Sequence, residues 1–188
     1  LLFTEAWMIR HFTIGLFCAA FALFGGNPAR ACGAWVEVAF FETDGDIFEI
    51  INKSQGPWSV DTLTIRLSGS RGRLIFDTED GGVGASMAQS FEAVEGAVTL
   101  KGVTPVGDGA ETIRLLFSDF TPGRRFEFFI DVDDRLENSD YGQAVVSGDE
   151  IDGADALVVL VMKNGRTAKA RGRFGPDGRA RLKGGACA

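Results

Sequence analysis

A period of two runs through most of this chain. In Thr62-Leu-Thr-Ile-Arg-Leu-Ser68, Leu63, Ile65 and Leu67 fall on one side and Thr64 and Arg66 on the other. Ile113, Leu115 and Phe117 repeat the pattern, and Phe126, Phe128, Ile130 and Val132 are opposed by Glu127, Asp131 and Asp133. Successive side chains of a strand point to opposite sides of the pleat, so this alternation is what a half-buried antiparallel strand requires. Segments 35–42, 47–52, 73–77, 98–103, 156–162, 167–174 and 179–183 read as further strands. Turn signals divide them, among them Asp44-Gly45, Gly81-Gly82, Asp108-Gly109, Pro122-Gly123 and Pro176-Asp-Gly178. Asn164-Gly165 sits directly between two strand patterns and is the strongest hairpin signal in the chain. Residues 81–89 are the most loop-like internal stretch. Short strands at regular spacing, with no long amphipathic helix, predict an all-β fold: a single-domain antiparallel β-sandwich, Ig-like or jelly-roll-like.

The first thirty residues follow a different logic. Met8-Ile9-Arg10-His11 is a short basic start, Thr13 to Phe24 is apolar, and Ala29-Arg30-Ala31 is a small-x-small cleavage signal. That order reads as a secretory leader. The apolar run is shorter than the ~20 residues that span a bilayer, so no stable membrane insertion is expected after cleavage. Residues 1–31 are thus expected to be an upstream extension plus a cleaved signal peptide, residues 32–188 the β-sandwich domain, and the protein secreted or periplasmic.

Cleavage would remove His11, the chain's one histidine, and Cys18, leaving Cys32 and Cys187 near the two ends of the domain. In an oxidising compartment these two are expected to pair. A loop of more than a hundred residues closed in this way is worth roughly 4 to 5 kcal/mol in the chain-entropy picture. The pairing requires the first and last strands to end side by side. A lipidated Cys32 is the competing reading, and Arg30 fits it poorly; free or intermolecular thiols are the third.

Charge is unevenly distributed. Residues 32–162 hold 24 acidic and 9 basic side chains, whereas residues 163–183 hold 8 basic and 1 acidic. An acidic body lacks the basic footprint that nucleic acid needs, and it is compatible with divalent cations. The basic end reads as the solvent face of the last strands. Without histidine, Ser-His-Asp and Cys-His nucleophilic sites and imidazole-bound zinc are excluded from the mature domain. Carboxylate pairs are the catalytic hardware left, and acids are too common on such a surface to indicate an enzyme; none is expected.

The local cluster that points to chemistry is Asp131-Val132-Asp133-Asp134, at the end of a strong strand. Asp131 and Asp133 share a side of that strand, and Asp134 begins the turn and can swing toward them. Converging carboxylates repel, and a hard, oxygen-seeking cation such as Ca²⁺ relieves the repulsion, with carbonyls and water completing six to eight ligands. Asp131, Asp133 and Asp134 are therefore the expected metal ligands. The pairs Asp44/Asp46 and Glu79/Asp80, or Asp149/Glu150 with Asp152, are candidates to contribute. The alternative is a solvated strand end in which Asp134 answers Arg135 or Arg124. Trp35 and Trp58 invite a carbohydrate-stacking role, although residues so placed more often cap a sandwich core. Asn52-Lys53-Ser54 matches a glycosylation sequon.

Several segments, taken in order, resemble one group of proteins. These are Phe48-Glu-Ile-Ile-Asn-Lys53, Val60 through Gly69, Gly72-Arg-Leu-Ile-Phe-Asp77, Phe126 through Asp134, and Val146-Ser-Gly-Asp-Glu-Ile151. The chain is similar in them to small secreted proteins of marine alphaproteobacteria known as aggregation factor core proteins, over residues 35–174. The resemblance implies calcium-dependent, carbohydrate-linked aggregation and brings no defining site residues with it. Together with the acidic strand end it gives the expected function: a secreted, non-enzymatic adhesion or aggregation module holding Ca²⁺ and contacting extracellular polysaccharide or another copy of itself. The alternative is a metal-free carbohydrate-binding or structural envelope module that uses aromatic loops such as that around Trp58.

Overall fold

Twelve strands and one helical turn make up the regular structure in the computed structural model, which describes residues 33–184 other than Asp44, Ser86, Glu95, Ala97 and Asp140. The expected leader and both Cys32 and Cys187 lie outside the described residues. In chain order the elements are β1 (Ala34–Phe41), β2 (Ile47–Asn52), β3 (Ser59–Arg66), β4 (Ile75–Asp77), β5 (Glu92–Ala93), β6 (Leu100–Val103) and β7 (Thr112–Phe120). They continue with β8 (Arg125–Phe129), β9 (Asp131–Asp133), α1 (Gly148–Ile151), β10 (Asp155–Val161), β11 (Thr167–Arg173) and β12 (Arg179–Gly184). One antiparallel sheet has the order β12-β1-β2-β8-β5 and the other β11-β10-β3-β7-β6; β4 and β9 form a separate two-stranded ribbon. The two large sheets pack face to face as an all-β sandwich. No helix among the described residues is long and apolar enough to cross a membrane.

The alternating positions do what their period requires. Leu63, Ile65, Ile113, Leu115 and Phe117 are buried on the inner side of one sheet, and Val36, Val38, Phe48, Ile50, Phe126 and Phe128 on that of the other. Phenylalanine joins the two layers. Phe48 stacks on Phe128 with ring centroids 5.1 Å apart, meets Phe40 at 5.2 Å, and takes Phe174 edge-on at 6.5 Å. Phe117 stands edge-on to Phe126 at 5.0 Å across the sheets. Such aromatic pairs add about 0.5–1.5 kcal/mol each beyond the area they bury. Asn164-Gly165 forms the β10–β11 turn, with Gly165 at a φ of 80° and Leu160 opposite Ala168 in the ladder that it joins.

Asn52 ties the layers together at one end. Its Nδ2 donates to the carbonyls of Trp58 and Phe120, both at 2.8 Å, and its Oδ1 accepts from Ser54 N at 3.1 Å. The side chain is wholly buried, so in the folded chain this sequon asparagine is not open to modification. Asn52→Ala removes the side-chain donor to both carbonyls and the acceptor for Ser54 N, and is expected to cost about 2–3 kcal/mol in urea unfolding. Trp58 is buried in the core and offers no ring to a sugar. The Trp35 ring is flanked by Lys53 Nζ at 5.5 Å and Lys183 Nζ at 5.3 Å from its centroid.

The ends of the domain and the departure of one strand from its sheet set the geometry around the acidic residues. At the ends, β1 pairs with β12 with Ala34 opposite Gly184, so the strand ends leading toward the two cysteines lie side by side. The segment read as one strand from Phe126 to Val132 divides. Residues 125–129 belong to the large sheet beside β2 and β5, whereas residues 131–133 pair with β4 instead.

Candidate metal centre

The β4–β9 ribbon has one apolar side and one on which three of the four residues are acidic, the fourth being Ile75. Its register sets Ile75 opposite Asp133, Phe76 opposite Val132 and Asp77 opposite Asp131. Phe76 and Val132 point into the core, as the alternation demands. The other side then presents Asp77, Asp131 and Asp133 together, and one carboxylate oxygen from each lies within 4.8 Å of the others. These groups are not at a solvated strand end: Asp77 is 2 % exposed, Asp131 8 % and Asp133 1 %.

A glycine-rich loop covers this acidic side. Gln89 N donates to the Asp77 carbonyl at 3.2 Å and Asp131 N to the Gln89 carbonyl at 3.1 Å, which fastens the loop's far end to the ribbon. Nearer its middle, Ala85 N donates to Asp133 Oδ2, and Asp108 accepts from Thr78 N at 3.1 Å and Val83 N at 2.7 Å. Gly84 lies so close over the site that a Cβ there would collide with Asp77 Oδ2 and Asp133 Oδ2. Only a residue without a side chain lets the backbone approach the carboxylates in this way.

The remaining acids are disposed around the three. Asp46 is buried; its carboxylate accepts from Val132 N at 3.0 Å and Thr43 N at 3.3 Å, and its carbonyl takes Ile130 N at 3.2 Å. Glu42 accepts from Val146 N at 2.9 Å. Asp134 is 2 % exposed, and its Oδ1 caps Leu136 N at 2.7 Å. It stands beside the three rather than among the converging oxygens. The basic residues considered as its partners form ion pairs with other acids: Arg135 with Glu111, and Arg124 with Asp119 at 2.7 Å. Of the outlying candidates, Glu150 closes the capping box of α1 with Ser147.

The electrostatics record a concentration of like charge. Burial pushes the Asp131 carboxyl up to about 7, helped by the charges of Asp133, Asp77 and Glu42. Burial also raises Asp77 to about 6, followed by its hydrogen bond with Asp108 and the charge of Asp133. Asp133 is raised by burial, against the opposing donation from Ala85 N. Asp46 is pushed up to about 9 by burial and then by Glu42, with which it shares a hydrogen bond. Asp108, by contrast, is held low by the backbone donors Val83 and Thr78.

Most telling are the oxygens that remain. Asp77 Oδ1, Asp131 Oδ2, Asp133 Oδ1 and Asp134 Oδ2 are all buried without a hydrogen-bond donor. A buried carboxylate oxygen without a donor costs the full desolvation of a charged group, and four together multiply that cost. The Asp77–Asp131–Asp133 cluster can hold a metal ion. The sequence pattern reaches Asp131 and Asp133 and misses Asp77, whose signal is an acid closing a predicted strand directly before the glycine-rich loop. The chain matches no protein-family model, no curated protein and no solved structure.

Proposed function

We propose that this protein is a secreted, non-enzymatic adhesion module whose buried acid centre takes Ca²⁺, with extracellular polysaccharide or a second copy of the chain as its partner. The observation that carries this reading is the set of four buried carboxylate oxygens without donors. An all-oxygen site without imidazole or thiolate selects a hard cation. Crowded carboxylates under a closely applied loop suit the irregular, high-coordination shell of Ca²⁺ better than the octahedral, water-keeping shell of Mg²⁺. Asp77, Asp131 and Asp133 would hold the ion, and Asp134 is poised beside them to take part. The ion would supply charge neutralisation: the ribbon's acidic side would cease to repel itself, and the loop over Gly84 would be drawn onto it. The adjacency of Ala34 and Gly184 supports a Cys32–Cys187 disulfide closing the same domain.

Thermal unfolding with millimolar Ca²⁺ and with chelator, at matched ionic strength, tests this directly. An ion that binds only the folded state adds about 2.7 kcal/mol at a hundredfold excess over its dissociation constant. For a domain of this size that is a rise of roughly 5–10 °C in Tm. An unchanged midpoint, or the same rise with Na⁺ alone, would remove the calcium reading.

A further inference from the structure

The last two strands form one edge of the sandwich although they belong to different sheets. β11 closes the second sheet and β12 the first, and the Phe174–Ala180 bridge joins them near their turn. Further along, their backbones pack directly against each other. A Cβ on Gly172 would meet the Arg181 carbonyl oxygen at 2.9 Å, and one on Gly184 the Lys169 carbonyl oxygen at 2.7 Å. Ala170, Ala180 and Leu182 are buried in the core. By alternation the other positions turn outward, and apart from Thr167 each of them is basic: Lys169, Arg171 and Arg173 on β11, and Arg179, Arg181 and Lys183 on β12. At the rise of a strand this basic strip is roughly 20 Å long.

The acids that answer the strip are few, shared and mostly recessed. Glu37 takes Lys53 at 2.9 Å, Arg179 at 3.2 Å and Arg181 at 3.9 Å. Asp155 takes Arg171 and Arg173, the second at 3.8 Å, and Asp177 takes Arg181 at 2.9 Å. The Glu37 and Asp155 side chains are only 10 % and 20 % exposed, whereas those of Arg171 and Arg173 are 61 % and 69 % exposed. Neither Lys169 nor Lys183 enters these pairs. Carboxylates below and cations above leave a positive field toward solvent along the whole edge.

We propose that this edge docks the protein on the surface of an anionic bilayer, with lipid headgroup phosphates meeting the cations of β11 and β12. The proposal makes no use of the calcium reading. A strip of this length matches an extended array of anionic groups rather than one small ion. Two rings border it: Phe41, 40 % exposed, with the Arg179 guanidinium 5.5 Å from its centroid, and Trp35, with Lys53 and Lys183 over its ring. Cations set around apolar rings suit the headgroup layer, where charge meets phosphate and a ring meets the acyl boundary. Each Lys or Arg held at an anionic membrane strengthens binding about fivefold. Single-stranded nucleic acid is a poorer match, since a base needs a bare ring on which to stack and both rings here already carry cations.

The test is co-sedimentation of the full chain, expressed with its own leader, with vesicles of phosphatidylcholine alone or mixed with phosphatidylglycerol. Chelator is present throughout, so that the acid centre plays no part. The expected result is retention on the anionic vesicles, weak retention on the neutral ones, and release as salt rises from about 0.05 to about 0.5 M. Lys169→Glu/Lys183→Glu should bind at least tenfold more weakly, and Lys169→Gln/Lys183→Gln, which removes the charges without reversing them, should fall between it and the parent. Lys101→Glu/Arg114→Glu makes the same change in net charge on the exposed positions of β6 and β7, at the other edge of the second sheet, and should stay within about threefold of the parent. Equal retention on neutral and anionic vesicles, equal loss in the two charge-reversed variants, or no effect of the Lys169 and Lys183 substitutions would overturn the proposal. Retention on duplex DNA without retention on anionic vesicles would overturn it as well, by giving the strip to a free polyanion.

Discussion

At pH 8 and without a divalent cation, Asp131→Asn is expected to unfold at a higher urea concentration than the parent chain. Losing a buried, well-fitted side chain usually destabilises, so the sign is diagnostic. Asp131 is ionised at that pH only against burial and the charges of Asp133, Asp77 and Glu42, which together hold its carboxyl up at about 7. Each unit of that upward displacement corresponds to about 1.4 kcal/mol of preference for the uncharged form. The amide keeps the shape, removes the charge and donates to the neighbouring carboxylates, so the gain should be of the order of 1–4 kcal/mol. The same substitution deletes a ligand and should erase the rise in Tm with calcium. A variant less stable than the parent without cation would show that the cluster is not strained, and one that still responds to calcium would show that Asp131 is not a ligand.

Without cation, the parent chain should also lose stability as pH rises from about 4 to about 8. Asp77 and Asp131 have folded-state values of about 6 and about 7, above the ordinary carboxylate value of about 4 in the unfolded chain. Between those limits the folded state binds more protons than the unfolded state, so the slope of unfolding free energy against pH is negative. Stability from these groups is fully present below about pH 4 and lost through pH 7, on the order of 4 kcal/mol from Asp131 alone. Asp46, at about 9, extends the decline further. Glu37 acts in the opposite sense at lower pH. Burial raises its carboxyl, but Lys53, Arg179 and Arg181 outweigh burial and hold it below the usual value, so its contribution is lost as the solution is acidified below about 4. A stability maximum near pH 4, followed by a decline toward pH 8, is the expected outcome of urea unfolding between about pH 3 and pH 8.5. Saturating calcium should flatten the alkaline limb, because the ion displaces the protons that the cluster otherwise retains. A curve that climbs steadily to pH 8 without cation would contradict the raised values.

The sandwich is legible in the sequence because its signal is local. Each strand carries its own alternation, and Leu63, Ile65, Ile113 and Leu115 reach the core from that pattern alone. Where partners change, the pattern says nothing. Phe126 to Val132 keeps one period while the backbone leaves β2 for β4, with Ile130 bonded to Asp46 and Asp131 to Gln89 at the switch. Asp77 is hidden for the same reason, since only the register with β9, more than fifty residues away, brings it against Asp131. Asp134 lies just past β9: its Oδ1 caps the next turn, while its Oδ2 is buried without a donor beside the three converging carboxylates, a division of roles that adjacency in sequence does not reveal. The two-residue β5 carries too little sequence to announce itself.

The strand order also decides when this domain can fold. Of the first four strands, only β1 and β2 are partners of each other; β3 lies between β7 and β10, β4 waits for β9, and the far side of β1 is filled by β12. The three earliest strands all sit inside the large sheets, and the two last, β11 and β12, each close one edge. A chain made from its N-terminus therefore holds one hairpin and two unpartnered strands until β7, β8 and β9 arrive, and its two large sheets are complete only once β10, β11 and β12 have followed. Such non-local pairing folds slowly, since the long loops must close before the contacts that stabilise them exist. Closure is one late event, and truncation before β12 should leave a chain that cannot complete its first sheet: β1 would lack its outer neighbour, and the Phe174–Ala180 bridge that joins the two layers would be missing.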